Sequence, residues 1–207
     1  MQRSRNEMSG NIEYYFSITS PWAYLGAERL VSICQKAGVG IRPFLIANIS
    51  ENGWITLKEK PPVRQKYVFE DLSRWAKRLG VPLKLDDRAG LKDAAPAYRI
   101  VIAAELAGKP TLALAIALQK AFWGYGEDIG DPAVRAAVAS KAGYDGAALV
   151  AAEEAPDVPA AFQKNIALAT MRGVFGSPTH LYGKQTFWGQ DRLDFLEEAL
   201  ARSPVEA

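Results

Sequence analysis

The spacing of apolar positions along the chain changes character twice. Residues 12–18 (Ile-Glu-Tyr-Tyr-Phe-Ser-Ile) are rich in β-branched and aromatic side chains and predict a largely buried strand. Ser20-Pro21 follows: a hydroxyl at a cap position and a proline at the first helical position together predict a helix start. Ala27, Leu30, Val31 and Cys34 then recur at helical spacing until Gly38. Val39 to Ile46 predicts a second strand, which Pro43 places at a sheet edge or a bulge. From about Pro61 to Arg172 the pattern is helical, with breaks at Gly80, Gly108-Lys109-Pro110, Gly130-Asp131-Pro132 and Gly143. Helices are predicted over 62–79, 94–107, 111–123, 132–142, 145–154 and 158–172. After Gly173 the strand signal returns. Thr179–Tyr182, a Gly183-Lys184 turn and Gln185–Trp188 predict a hairpin. Asp191–Ala201 closes the chain as an amphipathic helix with Leu193, Leu196 and Leu200 on one face.

A βαβ start, a ββα end and a helical block between them predict an α/β protein whose two ends share one mixed sheet. On this reading 11–52 and 173–207 form the sheet domain, and 53–172 is an inserted all-helical subdomain. The polar stretch 1–10 is expected to be disordered.

Composition narrows the chemistry. The 207 residues include one cysteine, Cys34, and one histidine, His180. A disulfide within the chain, a CxxC redox pair and a cysteine-rich zinc site are therefore excluded, as are most histidine-based metal sites. Any reactive thiol must come largely from a bound small molecule. A net charge of +2, with acids and bases interleaved as in Glu70-Asp71-Leu72-Ser73-Arg74, gives no basic face for nucleic acid. No apolar run approaches the roughly 18 residues of a membrane span. The first ten residues lack the apolar core of a signal peptide, so the expected compartment is the cytoplasm.

Three segments carry candidate chemistry. Ser20-Pro21-Trp22-Ala23 opens a helix, where free N–H groups and the positive end of the macrodipole favour an anion; as a plain cap it contributes ~0.5–2 kcal/mol of stability and nothing more. Val174-Phe175-Gly176-Ser177-Pro178-Thr179 places a small residue before a proline at a strand entry, where a cis bond would turn the Ser177 backbone toward a peptide-like ligand. Trp188-Gly189-Gln190-Asp191-Arg192 joins a strand end, a permissive glycine and a carboxylate able to hold an ammonium group or simply to cap the last helix. The glycines of 122–130 are misplaced for a dinucleotide fingerprint and follow a helix rather than a strand. His180, in mid-strand, is read as structural, and Cys34, on the core face of its helix, as an inert buried thiol.

Taken in order, these pieces resemble the 2-hydroxychromene-2-carboxylate isomerases, which stand with the kappa-class glutathione transferases in the DsbA-like branch of the thioredoxin fold. The resemblance runs from Ile12 to Leu200. It includes Asp71-Leu72-Ser73-Arg74-Trp75 with Gly80-Val81-Pro82, and Phe122-Trp123-Gly124 with Asp128-Ile129. It implies a thioredoxin-like sheet, glutathione as cofactor and a homodimer. Ser20 would stand where redox relatives carry their first cysteine and would hydrogen-bond the glutathione sulfur, favouring its thiolate. Ser177 would bind the tripeptide backbone, and Trp188, Gly189, Gln190 and Asp191 its γ-glutamyl end. The implied substrate is a small aromatic carboxylate from naphthalene-type catabolism: the thiolate adds reversibly to a conjugated double bond, the ring opens, the bond rotates and the thiolate leaves, giving trans-o-hydroxybenzylidenepyruvate. Two positions depart from the pattern, Ser17 where many members have Asp, and Glu59 roughly where relatives place an asparagine. The same scaffold also admits a kappa-class-like transferase or peroxidase acting on another electrophile, and a non-catalytic binding protein.

Overall fold

The computed structural model describes residues 10–202. The segment 1–10, expected to be disordered, lies outside them except for Gly10. Strand β1 (Asn11–Phe16) leads into helix α1 (Pro21–Ala37) and returns as β2 (Gly40–Leu45). Then come α2 (Pro62–Leu79), α3 (Tyr98–Leu106), α4 (Leu112–Gln119), α5 (Pro132–Lys141), α6 (Gly146–Ala152) and α7 (Asp157–Met171). The hairpin β3 (Thr179–Tyr182) and β4 (Gln185–Trp188) follows, and α8 (Leu193–Arg202) ends the fold. The four strands form one sheet in the order β2-β1-β3-β4, with β1 and β2 parallel and the other pairs antiparallel. This is the thioredoxin-like mixed sheet.

Local chemistry sets these boundaries. Ser20 caps α1 and Pro21 opens it, while Gly38 ends it at φ 67°, donating to the carbonyls of Cys34 and Gln35. β2 lies at the sheet edge, so the N–H that Pro43 lacks interrupts no ladder. β1 is central and buried on both faces. Ile12, Tyr14 and Phe16 share one core with α1, α3 and α4, through Leu30, Ile100, Leu114 and Leu118. Tyr15 faces the other way, with Ile46, Ile49, Ala169 and Val174. That alternation is the period-two signature of a strand.

Three elements depart from the sequence reading. The helix expected from 94 begins as a 3₁₀ turn, Ala95–Ala97 with Pro96 inside it, and becomes α-helical at Tyr98. The helix expected through 123 ends at Gln119 and passes into a π-helical turn, Lys120–Gly124. Gly124 is needed there, because a Cβ would fall 2.7 Å from the Tyr24 hydroxyl oxygen. The last helix is entered through a 3₁₀ turn, Gln190–Arg192.

Between α5 and α6 lies a buried ion pair. Arg135 and Glu153 are each 4% exposed, joined by Nε–Oε2 (3.1 Å) and Nη2–Oε1 (2.6 Å). Arg135 Nη1 also donates to the carbonyls of Ile129 and Gly130, both at 2.9 Å. Among the described residues no helix is long and apolar enough to cross a membrane, and no three potential metal ligands cluster.

Candidate active site

Where β1 ends, Ser17–Thr19 turn the chain into α1. The Ser20 N–H donates to the Ser17 carbonyl (3.1 Å), closing the turn and setting Ser20 in the extended conformation of a cap, φ −77° and ψ 115°. The Ser20 hydroxyl oxygen accepts from the Ala23 N–H at 3.2 Å. Pro21 has no N–H to satisfy, and no acid stands in the first turn of α1. The helix start is thus electropositive and unopposed. Ser20 itself is 9% exposed.

The segment before β3 meets this turn. The Ser177–Pro178 peptide bond is cis. The Ser177 hydroxyl accepts from the Ser17 N–H at 2.9 Å, and the Ser177 carbonyl accepts from the Ser20 hydroxyl at 3.2 Å. Ser20 and Ser177, 157 residues apart in the chain, are therefore direct partners. Asn52 anchors the approach, its Nδ2 donating to the carbonyls of Thr170 (3.1 Å) and Val174 (2.9 Å).

The third segment flanks the second. Trp188 is 53% exposed and its indole lies against Gly176, where a Cβ would come within 2.2 Å of Trp188 Nε1. Phe175 meets Trp188 edge-on, with ring centroids 5.0 Å apart. Gly189, at φ 98° and ψ 153°, occupies a region that side chains avoid, and its N–H donates to the Pro178 carbonyl at 2.9 Å. Asp191 is half-buried and pairs with Arg192 at 2.7 Å. The Gln190 side chain points inward: it is 1% exposed, packs against Gly26 of α1, and both its amide atoms lack a partner among the described residues. Trp188 thus reaches the surface beside Gly176, Asp191 lies against Gly189 and Arg192, and Gln190 is internal.

At the two departures from the family pattern, Ser17 is engaged through N–H, carbonyl and hydroxyl, the last against the Thr19 hydroxyl at 3.2 Å. Glu59 is an exposed cap residue. It accepts from the hydroxyl and the N–H of Thr56, which hold its carboxyl below the usual carboxylate range. Sequence reasoning missed Asn52 and Gln119; the second was signalled by a lone amide closing the apolar run Leu112–Leu118. A cleft of about 360 Å³ between α1, α2 and α4 includes none of Ser20, Ser177, Trp188 or Asp191 in its lining.

His180 and Cys34 stand apart from this chemistry. Burial pushes the Cys34 thiol up to about 12, so it is protonated and unreactive at neutral pH. His180 is 1% exposed, stacks on Tyr14 with centroids 5.2 Å apart, and hydrogen-bonds the Phe187 carbonyl through Nδ1. Burial lowers its pKa to about 4, only partly offset by that bond. An unfolded chain therefore takes up a proton near pH 6.5 that the folded chain refuses until about pH 4. The stability contributed by neutral His180 is fully present above pH 6.5 and is lost on acidification through that window, by roughly 3 kcal/mol in all. Urea unfolding at pH 7 and pH 4.5 is expected to show a smaller pH dependence in His180→Phe than in the parent; equal slopes would contradict the assignment.

The whole arrangement has counterparts. Residues 11–201 match the family model of the DSBA-like thioredoxin domain. A 2-hydroxychromene-2-carboxylate isomerase of Sphingobium xenophagum is 31% identical over 93% of this chain and 99% of its own length. Glutathione S-transferase kappa 2 of Caenorhabditis elegans is 28% identical over 90% of this chain and 92% of its own. A solved structure of 2-hydroxychromene-2-carboxylate isomerase superimposes with a TM-score of 0.76 at 28% identity, covering 92% of this chain and 94% of that one.

Proposed function

Since the chain belongs to the DSBA-like thioredoxin family, in the branch of the 2-hydroxychromene-2-carboxylate isomerases and kappa-class glutathione transferases, we propose that it is a glutathione-dependent cis–trans isomerase of 2-hydroxychromene-2-carboxylate. The observation that carries this reading is the Ser20 hydroxyl at the start of α1, 3.2 Å from the carbonyl that precedes a cis proline.

The residues present fit a thiol-bearing tripeptide. Ser20 offers a neutral hydroxyl donor at an electropositive helix start, with no acid in the first turn to oppose a negative sulfur. Ser20 would hold that sulfur, the Ser177 backbone the peptide groups, and the Trp188–Asp191 turn the γ-glutamyl end, with Asp191 facing its ammonium. When bound, glutathione supplies a nucleophilic thiol that adds reversibly to a conjugated double bond and so frees that bond to rotate. The chain contributes the field. With glutathione bound, the Ser20 hydroxyl would turn its proton from the Ser177 carbonyl toward the thiol, while its oxygen would keep the Ala23 N–H. Lowering the thiol pKa toward ambient pH raises the thiolate fraction more than it lowers nucleophilicity, whose Brønsted slope is ~0.4–0.5. The exposed pair Phe175 and Trp188, flanking Gly176, offers flat apolar surface to an aromatic substrate.

The test is direct. Purified protein with 2-hydroxychromene-2-carboxylate is expected to form trans-o-hydroxybenzylidenepyruvate far faster with glutathione than without it. A rate indifferent to glutathione overturns the proposal. The kappa-class relative supports a second reading, conjugation of another electrophile at the same site; turnover of chlorodinitrobenzene without isomerisation would select it. Calorimetry without glutathione binding would select a non-catalytic protein. We also propose a homodimer, as the sequence resemblance implies. Val63 (78% exposed) and Tyr67 (56%), one turn apart on α2, are the apolar surface a second copy would cover. Light scattering in the same preparation is expected to give twice the 22.6 kDa of one chain, and a monomer would overturn that part.

A further inference from the structure

α4 is apolar along its length except at its last residue. Gln119 is 0% exposed, yet only half of its amide is satisfied: Nε2 donates to the Ser17 carbonyl at 3.1 Å, and Oε1 has no partner among the described residues. A buried orphan acceptor destabilises the fold, and a methionine of similar volume would avoid that cost. Stability alone therefore does not account for an amide here. What the amide does is grip one atom. The Ser17 carbonyl it holds is the same oxygen that accepts the Ser20 N–H. The Ser17 N–H, on the other side of that residue, is held by the Ser177 hydroxyl, and Ser177 in turn accepts from Ser20. The circuit links the β1–α1 turn, the segment before Pro178 and the helical block, and Gln119 is the helical block's contribution to it.

A second observation agrees. Immediately after Gln119 the α-helix gives way to the π-helical turn Lys120–Gly124, a local irregularity that is rare and concentrated at functional sites. Gln119 thus ends the regular helix at the point where it reaches the site.

We infer that Gln119 is a positioning residue: through the Ser17 carbonyl it fixes the turn that aims the Ser20 hydroxyl and the first N–H groups of α1. The catalytic side of this inference rests on the glutathione-dependent reading above; the positioning side does not.

The test compares the parent protein with Gln119→Met, and with Gln119→Leu should the first variant not fold. In ligand-free protein, amide exchange of the 17–23 segment is expected to be faster in the variant, while Tm is unchanged or raised. Unchanged exchange overturns the inference whatever the ligand does. With glutathione, kcat is expected to fall roughly tenfold, as small misplacements of reacting groups allow, and the midpoint of the thiolate absorbance titration to move up. A lowered Tm with parental kcat and titration midpoint means a purely structural glutamine and also overturns it. If the parent protein itself neither binds glutathione nor isomerises the substrate, the functional proposal fails, and the exchange measurement still decides the positioning of the turn.

Discussion

Ser20→Ala is expected to lower the glutathione-dependent kcat by about 10²- to 10³-fold, the scale seen when a single preorganised donor to a developing anion is removed. The loss should show in kcat more than in KM. The Trp188–Asp191 turn, which would bind the tripeptide, is untouched by the substitution, and the Ser177 backbone loses only the Ser20 hydroxyl from its carbonyl. The fold should survive it. The variant gives up the cap on the Ala23 N–H and the bond to the Ser177 carbonyl, and cap removal costs about 0.5–2 kcal/mol. Pro21 still opens the helix, and the Ser20 backbone still makes its turn to Ser17. The expected signature is a folded protein in which the midpoint for thiolate formation, followed by ultraviolet absorbance, rises toward that of free glutathione. A variant that isomerises at the parental rate would show that the hydroxyl is only a cap, and the site would then have to be sought elsewhere in the molecule.

The sequence made this site legible in pieces, and what it made legible is local physics. A serine followed by proline after a β-rich run states a helix start without reference to the rest of the fold, and α1 begins at Pro21 as that rule requires. Pro43 likewise pointed to an edge or a bulge, and β2 lies at the edge. Cys34 was readable as buried because helical periodicity assigns a face to each position, and His180 was readable as structural from its place in mid-strand. Missing from the sequence were the bonds made between distant segments. Nothing in Leu112–Gln119 says that its final amide meets a carbonyl 102 residues earlier, and nothing around Asn52 says that it caps the end of α7 and steadies the approach to Pro178. Gln190 makes the same point differently. Its neighbours in sequence, Gly189 and Asp191, are only partly buried, but Gly26 leaves just enough room on α1 for its side chain to be drawn inside.

The largest loss of stability is expected from Glu153→Gln. Arg135 would remain 4% exposed with its positive charge and no carboxylate, and breaking a buried pair in this way costs about 3–5 kcal/mol. For a chain of this size that corresponds to a fall in Tm of roughly 10 °C. The sign reverses in part when both partners go. Arg135→Met with Glu153→Leu leaves no uncompensated charge, so the double variant is expected to be more stable than Glu153→Gln alone. It should still fall short of the parent, because the Ile129 and Gly130 carbonyls lose the guanidinium that holds them. Thermal unfolding of the three proteins checks the order, and a double variant less stable than the single one would show that those carbonyl bonds matter more than the charge. The effect on catalysis should differ from that of Ser20. Arg135 and Glu153 hydrogen-bond no residue of the Ser17–Ser20 turn or of the segment before Pro178, so turnover per folded molecule is expected to stay near the parental value below the new Tm. Ser20→Ala lowers activity in a protein that stays folded, whereas Glu153→Gln lowers the folded fraction and leaves the site intact in what remains.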